Sequence, residues 1–403
     1  MKGTGIRSML LLVIGAASCL LSGCWDRMEV NDMAIILAAG IDQGAHNEVE
    51  LSLQVFIPAS GNSSVMTQDS RKSSGRGEQT LVSVAKGTSL ADAVSHLQER
   101  LSRRLFWGHN KIFVFGKQRA EAGVKDDLDF LLRYVEMRER ADMYVSEGKA
   151  IDVMRVIPEL ERSSMEALRE LSKTEVSTEV DLRDVIEQIV ETPGQTFYVP
   201  YVLSGSAMSH ENFVRNTAAP YFKGLAIFKE GKMVGNVDNN LTRGVLWLTN
   251  KIKKTTITVV PASVPGNVSI SLSRNESRLQ PHINANGKWG LTISIQCEGD
   301  VLQNTSSLDL MKPDQMHLIE EKASELIRSR VMGALEKIKK GMGADVFGIG
   351  EAFHRKYPRQ WNKEKMKWRE SFSEIDIELT IYVHILRPGI MSKNIPSLNQ
   401  KER

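Results

Sequence analysis

Between Ile375 and Leu386 the chain reads IDIELTIYVHIL, with Ile375, Ile377, Leu379, Ile381, Val383 and Ile385 in strict alternation. Asp376, Glu378, Thr380, Tyr382 and His384 fill the gaps. Successive side chains of a strand point to opposite faces, so six aliphatic groups share one side. A helix would scatter the same residues around its axis. The segment therefore predicts a strand with one dry and one wet face, and such strands belong to antiparallel or mixed sheets. The dry face needs a cover. HLIEEKASELIRSRVMGALEKIKK (317–340) sets Ile319, Ala323, Leu326, Ile327, Val331, Leu335 and Ile338 along one side of a long helix that Gly341 ends.

The same mixture of patterns recurs upstream. Residues 34–41 and 48–57 read as strands, and Pro58 stops the second. Residues 58–80 are rich in Ser, Gly and polar side chains and predict a mobile loop. Ser89 and Asp92 resemble a capping box ahead of Leu90, Val94, Leu97 and Leu101, which mark an amphipathic helix. KIFVFG (111–116) predicts a buried strand, and 124–137 a helix with Leu128, Leu131, Leu132 and Val135 on its apolar face. Residues 141–148 predict a strand, so strand, helix and strand make a parallel crossover. Helical runs follow at 163–171 and 182–190. Residues 224–228 and 232–237 flank Lys229-Glu230-Gly231 as a hairpin. Residues 255–300 form a meander of short strands cut by Pro and Gly. The fold class expected is multi-domain α+β, with mixed and antiparallel sheets packed on helices. The domains would be 24–205, a β-rich 206–275, and 276–397 with the long helix.

The chain has 403 residues, 41% hydrophobic and 25% charged, enough to build sizeable cores. Its N-terminus has Lys2 and Arg7, then an apolar run from Met9 to Leu21, then Ser22, Gly23 and Cys24. That is the layout of a secretory signal peptide, too short to stay as a spanning helix. Leu21-Ser22-Gly23-Cys24 resembles a bacterial lipobox, so residues 1–23 are expected to be removed and Cys24 acylated. Two or three acyl chains suffice for stable anchoring. Without the leader, 50 basic residues face 49 acidic ones, since two of the 52 are lost. That balance gives no footprint for nucleic acid and no strong pull toward anionic lipid headgroups. With Cys19 discarded and Cys24 acylated, Cys297 stands alone, and a small buried hydrophobe is its expected role.

Motifs of catalysis are missing. There is no phosphate-binding GxxxxGK[ST], no GxGxxG after a strand, no HExxH, no GxSxG and no EF-hand loop. The eight histidines are scattered with no metal spacing, so neither a metal nor a cofactor is expected. In the glycine-rich 341–351, Asp345 would repel phosphate, and helix termination is the better reading. His109, beside Trp107 and Gly108, is expected to be a buried, hydrogen-bonded histidine. Nothing in the sequence gives a positive reason for an enzyme. Trp361, Trp368 and Phe372 form an aromatic stripe on a helix begun after Pro358, either core-facing or lining a partner groove.

Four separated stretches resemble one family, the C-subunit lipoproteins of spore germinant receptors in endospore-forming bacteria. GCWDRMEVNDMAIILAAGID (23–42) is similar to its opening, and GHNKIFVFGKQRAEAGVKDDLDFLLRYVEMRERADMYVSEGKA (108–150) to its central block. FKGLAIFKEGKMVGNVDNNLTRGVLWL and ADVFGIGEAFHRKYPRQWNKEKMKWRESFSEIDIELTIYVHILRPG resemble its later blocks. The resemblance implies a three-domain α+β lipoprotein on the outer face of the spore inner membrane. Its partners would be integral-membrane A and B subunits, and the complex would answer nutrients. Trp25 suits a membrane interface, and Asp26, Glu29 and Asp32 stand beside it as candidates for docking a membrane subunit or leading into the first strand. The competing reading is a substrate-binding lipoprotein of an importer. Two lobes of repeated βα units would mark that class, against which the wet-faced strand and the meander argue.

Overall fold

The computed structural model describes residues 32–56, 80–156, 161, 163–173, 178–204, 220–262 and 264–389. The leader, Cys24, Trp25, Asp26, Glu29 and most of the expected loop, 58–79, lie outside that range; Thr80 already belongs to a strand. Two sheets organise the rest. The larger has the order β3-β2-β1-β5-β6-β7-β8-β9. Its strands are β1 (Met33–Gln43), β2 (Val49–Phe56), β3 (Thr80–Gly87), β5 (Ile112–Gly116), β6 (Asp142–Ser146), β7 (Thr196–Leu203), β8 (Tyr221–Lys229) and β9 (Lys232–Asp238). A short β4 (Arg104–Phe106) also pairs with the start of β1. The smaller sheet runs β10 (Thr255–Val259), β11 (Val268–Ile283), β12 (Trp289–Asn304), β13 (Asp376–Arg387). This is a multi-domain α+β fold with mixed sheets.

β1, β5, β6 and β7 are parallel, and β2, β3, β8 and β9 extend the sheet antiparallel at both flanks. The helices α1 (Leu90–Arg100), α2 (Lys117–Ala122), α3 (Lys125–Arg133) and α6 (Leu182–Glu191) cover one face. The other face is covered by α4 (Ala150–Met154) and α5 (Ser164–Ser172), over Ala38, Ile112, Val114 and Tyr144. The expected crossover is present, with α2 and α3 between the parallel β5 and β6. A bulge at Leu37 breaks the β1–β2 register between Ile36 and Ala38. It resets the alternation, so Ala34, Ile36, Ala39 and Ile41 all reach one core while Ala38 joins the other.

Strands within the expected β-rich segment 206–275 divide between the two sheets. β8 and β9 hydrogen-bond onto β7, whereas β10 and β11 belong with β12, and β11 runs through residue 275. The cause is local: Glu230 and Gly231 both have positive φ, 51° and 77°, the geometry of a two-residue hairpin turn. The meander is also longer-stranded than its prolines suggest. Pro281 sits where β11 pairs only with β12, beyond the reach of β10, so its missing N–H interrupts no second ladder.

β13 buries Leu379, Ile381, Val383 and Ile385 and exposes Glu378, Tyr382 and His384. It pairs parallel with β12. The covering helix is α8 (Pro313–Leu335), continued by a π-helical turn over Glu336–Met342. Between the sheets, α7 (Asn239–Leu248) packs on α8 so closely that a Cβ at Gly244 would lie 2.3 Å from the Arg330 carbonyl oxygen.

The last residues of β1 hold a cap formed across the chain. Asp42 is buried, and its carboxylate accepts the N–H groups of Ala150 at 2.8 Å and Ile151 at 3.2 Å, at the start of α4. Burial raises its pKa, and those two donors oppose the rise. A Cβ on Gly116 would stand 2.0 Å from Asp42 Oδ1, so the neighbouring strand must carry glycine there. Gly116→Ala is expected to lower stability by about 2 kcal/mol, the scale of a lost buried hydrogen bond to a charged group. Asp42→Ala should cost a similar amount and the double variant little more, because both break one cap. Denaturant midpoints of the four proteins check this; full additivity would mean that Gly116 and Asp42 act separately.

Candidate functional site

The described chain begins at the exposed Asp32, and Met33 registers with Arg104 of β4. β1 is parallel to β5 and β6, so the segments entering those two strands, 107–111 and 134–141, meet at the same end of the sheet. Contacts bind them together. Arg104 donates to Glu136 at 3.1 Å, and the Trp107 and Tyr134 rings meet edge-on with centroids 6.3 Å apart. Trp107 and Asn110 are buried. His109, expected to be buried, is exposed instead, its ring 5.9 Å from Phe106. The turn Trp107–His109 directs the adjacent Trp107 and Asn110 inward, which carries His109 to solvent.

Just inside this end lies Asp142, the first residue of β6. Burial pushes its carboxyl up to about 7, helped by Glu179, opposed by Arg169 and helped again by Asp181 and Asp184. A cavity of about 210 Å³ opens nearby, with Leu37, Phe56, Ile112 and Met165 as its apolar wall and Lys111 and Arg169 at its margin. A second, of about 370 Å³, lies between the α5–α6 connection and the segment after α7, and presents Lys173, Lys251, Lys253 and Lys254 beside Glu179 and Asp184. Among the described residues no group of three or more His, Cys, Asp or Glu side chains is placed to hold a metal ion. Among them, no helix is long and apolar enough to cross a membrane.

The aromatic candidates fall elsewhere. Trp361 and Trp368 are 6% and 4% exposed, and they pack against each other, Trp289 and Phe353. The stripe is core, so neither tryptophan is presented to a partner. The single helix expected after Pro358 is divided into α10 (Pro358–Glu364), a 3₁₀ turn, and α11 (Trp368–Glu374). The centre of the cluster is polar. Asp345 is 2% exposed and accepts N–H groups from Ile349 at 3.1 Å, Gly350 at 2.6 Å and Trp368 Nε1 at 3.2 Å. It thereby caps α9 (Ile349–Lys356), while the preceding helix ends at Met342 with Gly343 at φ 59°, the termination expected of 341–351. Cys297 is buried on β12, and burial pushes its thiol up to about 12, as suits a small core hydrophobe.

Two family models match the chain in succession: "Spore germination protein N-terminal domain" over residues 26–203 and "Spore germination B3/ GerAC like, C-terminal" over 223–389. The chain belongs to the GerAC-like spore germination family. Curated members from Bacillus subtilis (strain 168) align almost end to end. The putative spore germination protein YfkR is 27% identical over 98% of this chain and 100% of its own length. Spore germination protein KC is 27% identical over 97% and 98%, and spore germination protein A3 is 22% identical over 93% and 96%. The crystal structure of the GerBC protein superposes with a TM-score of 0.56 at 17% identity, covering 86% of this chain and 96% of that one, which shows a shared fold. The family named from the quoted blocks is therefore the right one.

Two measurements check this geometry. Trp368→Ala should destabilise by about 3–5 kcal/mol, the cost of emptying a large buried aromatic; an unchanged melting temperature would place Trp368 outside the core. For Asp142, the folded pKa near 7 lies above the ordinary 3.8, so the folded state holds its proton more tightly. Stability from this group is present at low pH and is lost as pH rises through about 7. Asp142→Asn should flatten that part of the stability profile and exceed wild type above it. A slope identical in both proteins would remove Asp142 as its source.

Proposed function

We propose that this chain is a lipid-anchored, non-catalytic subunit of a germinant-responsive membrane complex, positioned on the outer face of the membrane by Cys24. The observation that carries the reading is Leu21-Ser22-Gly23-Cys24, which places a lipobox nine residues ahead of β1 in a member of a spore germination family. Integral-membrane A and B subunits, implied by the resemblance to germinant-receptor C subunits, are its proposed partners. The work assigned to it is assembly and coupling. In support, several buried polar groups serve caps and ion pairs, as with Asp42, Asp345 and the Arg119–Asp127 pair at 2.8 Å. The importer reading finds no support in the sheet order, which gives one mixed sheet and one small sheet where two like lobes of βα units would stand.

Replacement of the anchor tests this. Spores carrying Cys24→Ala should lose the protein from the membrane fraction and germinate poorly on nutrients, with the protein otherwise intact. A variant retained in the membrane and germinating at the wild-type rate would contradict the assignment.

A further inference from the structure

The crossing of α7 and α8 holds two arginines whose charge no described residue answers. A Cβ on Gly244 would stand 2.3 Å from the Arg330 carbonyl oxygen, so the two helices meet backbone to backbone. That contact brings Arg243, the neighbour of Gly244, within electrostatic reach of Arg330. Both side chains are half-buried. Arg243 Nη1 donates to the Thr256 carbonyl of β10 at 3.4 Å, the outer limit of a hydrogen bond. Arg330 makes no hydrogen bond or ion pair with a described residue, and its Nη1 is buried without an acceptor. Burial, and then the Arg243 charge, lower its pKa.

The acids nearest along the two helices are engaged elsewhere. Asp238 accepts the Leu241 N–H at 2.9 Å, Glu325 pairs with Lys322 at 2.7 Å, and Glu336 lies 3.8 Å from Lys340. Residues 251–259, which lead into β10 and form it, contain no acid. The buried Arg119, by contrast, meets both Asp127 and Gln43. A guanidinium carries five donors and keeps its charge, so half-burying one beside another is costly without an acceptor. An anion between them removes that cost.

We propose that Arg243 and Arg330 form a binding site for a small doubly charged oxyanion, a free phosphate or a phosphomonoester, at the crossing of α7 and α8. Two cations match two negative charges, and each planar fork can take a pair of oxygens. A lone carboxylate supplies half of that charge. The half-buried setting admits a small ion from the solvent side and weakens screening once it is bound. α7 follows β9 of the larger sheet and α8 covers the smaller one. A bound ion therefore ties the two sheets together and stabilises the folded chain increasingly as its concentration rises.

The test uses the chain from residue 24 onward with Cys24→Ala, so that neither leader nor lipid takes part. At pH 8 and constant ionic strength, calorimetry should show one inorganic phosphate bound per chain, and phosphate should raise the melting temperature. Glycerol 3-phosphate should compete for the site, and acetate should not. Arg330→Met and Arg243→Met should each weaken phosphate binding by about 30-fold, the scale of a lost hydrogen bond between charged groups. Without phosphate, Arg330→Met should melt no lower than wild type, because it removes an uncompensated charge. Arg274→Met, which takes one charge from an ion pair with Glu298 on the smaller sheet, should leave phosphate affinity as it was. An equal rise in melting temperature from acetate or sodium chloride would overturn the proposal, as would wild-type affinity in either variant of the pair. Capture of phosphatidic acid vesicles with no response to free phosphate would also overturn it.

Discussion

Everything in the larger sheet is referred to β1, which is hydrogen-bonded to β2 on one side and to β4 and β5 on the other. The first strand of the described chain is therefore among the most restrained in the protein. The bulge at Leu37 keeps both of its halves in register with one core, and Asp42 at its end caps a helix more than a hundred residues away in sequence. A pull or a tilt applied at the start of β1 acts on the middle of the sheet, with no peripheral strand to absorb it. In the proposed role of coupling a membrane to partner subunits, that is a stiff connection.

The C-terminal half is joined to this sheet by the same kind of chemistry. The Asp345 carboxylate caps α9 and holds Trp368, while its backbone carbonyl accepts the Thr196 hydroxyl of β7 at 2.7 Å. Lys229 Nζ donates to the Gly343 carbonyl at 2.8 Å. Close packing of α7 on α8 at Gly244 completes the joint. The apolar core runs without a break from β1 to β13. Buried carboxylates are costly unless their oxygens are satisfied, and both Asp42 and Asp345 meet that demand with helix N–H groups.

Periodicity made the regular parts legible. The alternation at β13, the apolar side of α8 and the β8–β9 hairpin are local patterns, and local physics produces them. What escaped was set by distant partners. Nothing near Asp42 announces that it will cap a helix at Ala150, and nothing near Gly116 says that a carboxylate will fill the place of its Cβ. The larger sheet extends past residue 205 because β7 pairs with β8, a choice made by register and not by composition. Val135 matched a helical stripe, but the helix ends two residues before it, at Arg133. Trp361 and Trp368 left a partner groove open as an alternative because an aromatic stripe looks the same in a core and at an interface; only the packing against Trp289 and Phe353 decides it. The meeting of 103–111 with 134–140 is invisible in sequence, since parallel pairing is what brings them together.

The proposed role requires that the first residue of the mature chain be fixed to lipid. Mass spectrometry of the N-terminal peptide from protein purified out of spore membranes reads that directly. An anchored protein gives a peptide beginning at Cys24 and carrying a diacylglyceryl thioether. A peptide spanning residues 1–23 and continuing into Cys24 as a free thiol would contradict it.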